Sequence, residues 1–213
     1  MTVAAFGKEA QSNTLCQLVL ASSSPRRQEL VASLDLSLPV RILSTDADES
    51  IEPAWTPAEV VERLAHRKAE AAVERLRAEH TDKPSLVVGA DTIVVLDGEV
   101  LGKPVDREDA IATLQRLQGR NHEVYTGVAC IHSEDGTALV KHRRTHVWMK
   151  PLSKERIERY VATGEPMDKA GSYGIQGLGA ANVDRIEGCY FNVVGLPLSL
   201  LSDMLEVFGI DVY

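Results

Sequence analysis

A chain of 213 residues, 44% hydrophobic and 25% charged, can bury a sizeable core and has the composition of an ordinary globular protein. Its formal net charge of -8 excludes a general electrostatic grip on nucleic acid or an anionic membrane surface, although a few local cations or a metal can still hold a small polyanion. Cys16, Cys130 and Cys189 form neither a CxxC pair nor a secreted-type framework, and no apolar stretch reaches the length of a membrane span, so a cytoplasmic protein is expected.

Residues 1–14 lack the basic start and apolar centre of a secretory signal. They are expected to be a flexible N-terminal extension ahead of a single domain over residues 15–213. Residues 17–21 predict a strand that runs into Ser22-Ser23-Ser24-Pro25-Arg26-Arg27, where Pro25 suits the first position of a helix reaching about residue 34. The free N–H groups of that turn, the serine hydroxyls and the guanidinium groups together suit an anion such as phosphate. The same hexapeptide also fits a serine N-cap followed by two solvated arginines. Residues 38–43 predict a second strand, and residues 44–55, with Asp46, Asp48, Glu49 and Glu52, a polar acidic loop. Thr56-Pro57-Ala58-Glu59 is a capping box that opens a long amphipathic helix. On it Lys68 shares a face with Val61 and Leu64, so its ammonium group must snorkel to water or meet an anion.

Residues 86–90 predict a strand buried on both faces and ending at Asp91-Thr92; residues 93–96 and 99–101 predict a hairpin around Asp97-Gly98. A carboxylate at the C-terminal end of a buried strand lies where open α/β sheets place their ligand crevices. Asp91 there suits a metal ligand, a proton acceptor or a plain Asx-turn. Gly102-Lys103-Pro104 is not a P-loop, because Pro104 takes the Ser/Thr position. Asp106 caps a helix to about residue 117, residues 124–132 and 137–149 predict an antiparallel pair, and Ser153 and Pro197 open two further helices. Residues 164–188 are rich in glycine and polar residues, which predicts tight turns or close backbone approach to a ligand. Within them Gln176 offers an amide able to read a base edge. His142 and His146 fall in a strand, too far apart for a zinc site. Alternating strands and helices with two hairpins predict an α/β fold: an elongated mixed sheet flanked by helices.

Taken in order, several segments resemble the Maf family of nucleoside triphosphate pyrophosphatases. They are Leu20-Ala21-Ser22-Ser23-Ser24-Pro25-Arg26-Arg27, Leu64-Ala65-His66-Arg67-Lys68-Ala69, Gly89-Ala90-Asp91-Thr92, Gly102-Lys103-Pro104, Tyr125-Thr126-Gly127-Val128, Asp168-Lys169-Ala170-Gly171, Tyr173-Gly174-Ile175-Gln176-Gly177 and Asn192-Val193-Val194-Gly195-Leu196-Pro197. The resemblance runs from about Leu18 to the C-terminus. It implies two lobes with a substrate cleft, a homodimer, and hydrolysis of a nucleoside triphosphate to the monophosphate and pyrophosphate with a divalent cation, Mg2+ or Mn2+. It also implies Asp91 as proton acceptor and, with Glu49, as metal ligand. Lys68 and Lys103 complete the implied catalytic set; Ser22, Arg26, Thr92 and Gln176 are implied to bind substrate, and Arg27 to be a structural partner.

Ala90-Asp91-Thr92 and Gln176 match the dTTP/UTP branch; the 7-methyl-GTP branch has Ser-Asp-Gln and a glutamate at those places. A neutral glutamine can both donate to and accept from the imide edge of uracil or thymine, whereas a cationic methylguanine favours a carboxylate. Uracil and thymine differ by one methyl, which a pocket distinguishes by about 1–3 kcal/mol. Both are therefore expected substrates, and modified pyrimidine nucleotides with them. No nucleic-acid or membrane partner is expected. Hydrolysis of other nucleotides and a nucleotide-binding role in septation are the competing readings.

Overall fold

The computed structural model describes residues 15–80 and 83–212; the expected N-terminal extension at residues 1–14 lies outside them. The strands are β1 (Gln17–Ala21), β2 (Val40–Ile42), β3 (Ser85–Leu96), β4 (Glu99–Leu101), β5 (Asn121–His132), β6 (Ala138–Met149) and β7 (Val183–Glu187). They form one mixed sheet in the order β2-β1-β3-β5-β6-β7, with β4 also paired to β3. The helices are α1 (Pro25–Ala32), α2 (Pro57–Ala78), α3 (Arg107–Leu117), α4 (Lys154–Ala162), α5 (Tyr190–Val194) and α6 (Leu198–Val207).

Local signals place most of these boundaries. Thr56 and Glu59 complete the capping box of α2, Asp106 accepts from the Asp109 N–H at the start of α3, and Ser153 accepts from the Arg156 N–H at the start of α4. The β3–β4 hairpin turns through Asp97 and Gly98 at φ 53° and 82°, the pair of positive values that a type I′ turn needs. β7 falls where the composition signals only turns, and α5 where no element is predicted. β7 reads Val-Asp-Arg-Ile-Glu, is largely solvent-facing and pairs with β6 alone, so it carries no clean apolar alternation.

One expectation is corrected. Asp91 does not end a strand: the 12-residue β3 continues through it, because β5 pairs with β3 without interruption from Leu86 to Val95. The break lies in the neighbour on the other edge. There β1 stops at the Ala21–Gly89 pair, and β4 pairs only from Val94 onward. Residues 90–93 are therefore bare on one edge, in the middle of a sheet.

The two faces of β3 are covered differently. On one face lies α2, whose backbone rests directly on two glycines. A methyl group at Gly89 would sit 2.2 Å from the Ala65 carbonyl oxygen, and one at Gly127 would sit 2.1 Å from that of Val61. The other face carries two separate apolar clusters. Leu86, Val88 and Ala90 pack with α1 and α6, while Val94 and Leu96 pack with β4, α3 and α4. The division falls at the same bare stretch, which gives the molecule two lobes on a continuous sheet.

Because backbone atoms cannot yield as side chains do, Gly127→Ala should lower the unfolding free energy by about 3 kcal/mol, measured by urea titration. A second expectation concerns His122 on β5, which is 2% exposed with Nε2 2.7 Å from the Tyr173 hydroxyl. Burial lowers its pKa from 6.5 to about 4. The unfolded chain therefore binds a proton there that the native state refuses, and stability falls as pH drops from about 6.5 towards 4, by up to about 3 kcal/mol. In His122→Phe that part of the pH slope should vanish from the unfolding midpoints.

Candidate active site

The bare edge of β3 explains why distant segments meet. β1 runs parallel to β3 and β4 antiparallel to it along the same edge, so their C-terminal ends face each other across residues 90–93. The chain leaving β1 is Ser22–Arg27, and the chain leaving β4 is Gly102-Lys103. Both are delivered to the walls of one cleft of about 650 Å³. Lys68 reaches it from α2, Glu49 from the loop after β2, and Gln176 from the stretch after α4. All eight residues singled out by the sequence line this cleft: Ser22, Arg26, Glu49, Lys68, Asp91, Thr92, Lys103 and Gln176.

At its centre Lys68 Nζ lies 2.5 Å from Asp91 Oδ1 and 2.8 Å from Glu49 Oε1. The Lys68 and Asp91 side chains are 16% and 12% exposed, whereas Glu49 is 64% exposed at the rim. The lysine on the apolar stripe thus meets anions rather than water. Its hydrogen bond to Glu49, and then its charge, hold the Glu49 carboxyl below the ordinary carboxylate range.

The hexapeptide divides its labour. Ser22 Oγ accepts from the Ser24 N–H at 3.2 Å, while Ser24, at the N-cap, makes no side-chain cap and Pro25 follows it. The capped helix with two solvated arginines is therefore not what forms. Arg27 turns inward: its Nε donates to the Gly195 carbonyl at 2.7 Å and Nη2 to Thr92 Oγ1 at 3.0 Å, and burial lowers its pKa. Arg26 stays at the cleft, with Nη1 3.2 Å from Asp168 Oδ2 on the opposite lobe.

Thr92 lines the cleft, but its hydroxyl is committed. Besides Arg27 it meets Thr126 Oγ1 at 2.9 Å, and Thr126 donates to the Asn192 carbonyl at 2.8 Å. Asn192 Nδ2 in turn donates to the Val124 carbonyl and to Thr145 Oγ1, each at 3.0 Å. This buried chain beneath the site was not foreseen. Its trace in the sequence is a set of polar residues inside apolar strands and two segments, Tyr125-Thr126-Gly127-Val128 and the one beginning at Asn192. Asp168 and Lys169, whose side chains pair at 2.6 Å beside Arg26, were also not assigned.

Among the described residues neither the Lys103 nor the Gln176 side chain makes a hydrogen bond or ion pair, so both are open to a ligand. His142 and His146 pair with different carboxylates, Glu62 at 2.8 Å and Glu123 at 3.7 Å. Among the described residues no three His, Cys, Asp or Glu side chains are grouped to hold a metal without help from another ligand.

The family described as Maf-like protein matches residues 17–208 of this chain. Similar proteins include one from Desulforamulus reducens named dTTP/UTP pyrophosphatase, 51% identical over 195 residues, covering 92% of this chain and 98% of the relative. Proteins of the same name from Pelotomaculum thermopropionicum and Symbiobacterium thermophilum are each 52% identical, over 196 and 197 residues. Those alignments cover 92% of this chain in both cases, and 98% and 96% of the respective relatives.

Proposed function

The chain belongs to the Maf-like family, and on that premise we propose that it is a nucleoside triphosphate pyrophosphatase converting dTTP and UTP to the monophosphate and pyrophosphate. The observation that carries this reading is the Asp91–Lys68–Glu49 cluster at the bare edge of β3, ringed by cations from both lobes.

In this reading Ser22, Arg26, Lys103 and the first turn of α1 bind the triphosphate, and Arg27 holds that turn in place. Asp91 accepts a proton from the attacking water as its oxygen bonds to the α-phosphorus. The bond to the bridging oxygen then breaks, and pyrophosphate leaves with its charge balanced by Lys68, Lys103 and Arg26. Gln176 meets the imide edge of the base, while Thr92 acts on substrate choice from the cleft wall. Residues 15–213 act as one domain.

Asp91 and Glu49 fit a divalent cation such as Mg2+ or Mn2+. They are hard oxygen donors that converge on one point, as their shared contact with a single ammonium group demonstrates. Ions of the magnesium type take one or two carboxylates together with substrate phosphates, which agrees with the lack of a larger protein ligand set among the described residues. Such an ion, when bound, supplies Lewis-acid polarisation and acidifies a coordinated water.

The family resemblance supports a homodimer, and a cytoplasmic setting agrees with cysteines that form no disulfide. No helix among the described residues is long and apolar enough to cross a membrane.

A panel of nucleoside triphosphates with pyrophosphate detection tests the reading. dTTP, UTP and 5-substituted pyrimidine analogues should be hydrolysed at least about tenfold faster than purines or 7-methyl-GTP, as expected where a site hydrogen-bonds its substrate. Equal turnover of purines would remove the pyrimidine assignment. Asp91→Asn should keep its melting temperature and lose about a thousandfold in kcat, the range of general-base catalysis; a fully active variant would remove the proton-acceptor role.

A further inference from the structure

The glycine-rich stretch that carries Gln176 is not held by its own turns alone. Three of its backbone N–H groups go to two side chains, Tyr160 in the last turn of α4 and Glu165 just beyond it. Gly174 donates to the Tyr160 hydroxyl at 3.1 Å, while Leu178 and Gly179 donate to the two oxygens of the Glu165 carboxylate at 2.9 and 2.8 Å. Tyr160 closes the clamp by donating its own hydroxyl proton to Glu165 Oε1 at 2.9 Å. Amides on both sides of Ile175-Gln176-Gly177 are thereby tied to one carboxylate–phenol pair.

The glycines in this motif follow from the clamp. A methyl at Gly177 would lie 2.6 Å from Glu165 Oε2, and one at Gly179 would lie 2.3 Å from the Gly174 carbonyl and 2.5 Å from the Tyr160 hydroxyl. Gly177 also takes φ 62°, which a side chain would strain. Burial works against charge on Glu165. The Leu178 and Gly179 N–H groups, the Tyr160 hydroxyl and the Lys169 ammonium outweigh it, holding the carboxyl below its ordinary range. At neutral pH it is therefore a full anionic acceptor, and its bonds to backbone N–H groups are of the stronger, charge-assisted kind.

The Gln176 amide has no anchor of its own among the described residues, so its direction depends on the backbone beneath it. We propose that Glu165 is a specificity-determining positioning residue, which fixes the backbone through Leu178, Gly179 and Tyr160 and so aims Gln176 at the base of the bound nucleotide. The proposal rests on the reading of Gln176 as the residue that meets the base.

The test compares Glu165→Ala, Gln176→Ala and the double variant with the wild type on dTTP, UTP, dCTP and ATP. Glu165→Ala should raise KM for dTTP and UTP about tenfold, with a much smaller change in kcat, because positioning rather than chemistry is lost. It should also narrow the preference for those two substrates. In the Gln176→Ala background the same substitution should add almost nothing, since a residue acting only through Gln176 has no effect once that amide is gone. Amide hydrogen exchange at Leu178 and Gly179 should quicken in Glu165→Ala, with or without nucleotide. Glu165→Gln should fall between wild type and Ala, because its carboxamide places an NH2 against one of the two N–H donors; this variant also serves if Glu165→Ala does not fold.

Additive losses in the double variant would overturn the proposal, as would unchanged KM and preference in a folded Glu165 variant. Unaltered exchange at both amides would overturn it at the clamp itself. A wild type with no preference for dTTP and UTP would refute the reading of Gln176 and the proposal with it; faster exchange in Glu165→Ala would then show that the fault lay in the reading of the base contact and not in the clamp.

Discussion

The site depends on one contact, the ion pair of Lys68 and Asp91, and on the helix-to-sheet distance that makes it. Two charges so little exposed lose most of their hydration, and the attraction between them does not by itself repay that loss. The pair is accordingly weak evidence for stability. Its geometry comes from the absence of side chains at Gly89 and Gly127, which lets α2 lie on the strands with its carbonyl oxygens against bare backbone. Asp91 is two residues beyond Gly89 on the same face and directly opposite Gly127 across the β3–β5 ladder. A helix lifted by one methyl would carry the ammonium group away from the carboxylate.

A second constraint is the missing pairing along β3. A sheet edge is usually an outer boundary, yet here four residues of edge are left unpaired inside the molecule because β1 pairs only as far as Gly89 and β4 only from Val94. The gap leaves a place where ligand atoms can approach strand backbone and Asp91 together. It also aligns two strand ends, so that an arginine-bearing turn and a lysine-bearing turn enter from opposite sides. Separate apolar clusters on either side of the gap give each wall a core of its own.

Support for these walls comes from polar groups whose hydrogen bonds run to other parts of the protein. Arg27 fastens the first turn of α1 to Gly195 and Thr92, and Thr92 leans on Thr126, which leans on Asn192. The hydroxyls of Thr92, Thr126 and Thr145 each satisfy a neighbour, which favours one geometry over several, while the Asn192 side-chain oxygen is buried without a hydrogen-bond partner among the described residues. On the facing wall Glu165 and Tyr160 do the same for the stretch around Gln176. At the cleft Lys103 and Gln176 have no side-chain hydrogen bond or ion pair among the described residues, whereas the residues behind them do. That division lets the former respond to a ligand while the latter keep their places.

Much of this molecule was legible in the sequence because the signals were local. Capping at Thr56, Asp106 and Ser153, the turn at Asp97-Gly98 and the apolar periodicity of α2 all act within a few residues, so composition and spacing reveal them. The side chains that meet in the cleft could be picked out too, since a lysine on an apolar stripe and a carboxylate within an apolar run each violate their surroundings. What only the tertiary structure decided was pairing. That β3 passes unbroken through Asp91, that β7 forms at all, that Arg27 goes inward while Arg26 faces Asp168, and that Thr92 serves a buried chain are each settled by residues more than 30 positions away. No local pattern encodes such partners, because a hydrogen bond or an ion pair depends on where the fold brings two groups and not on what lies beside them in the chain.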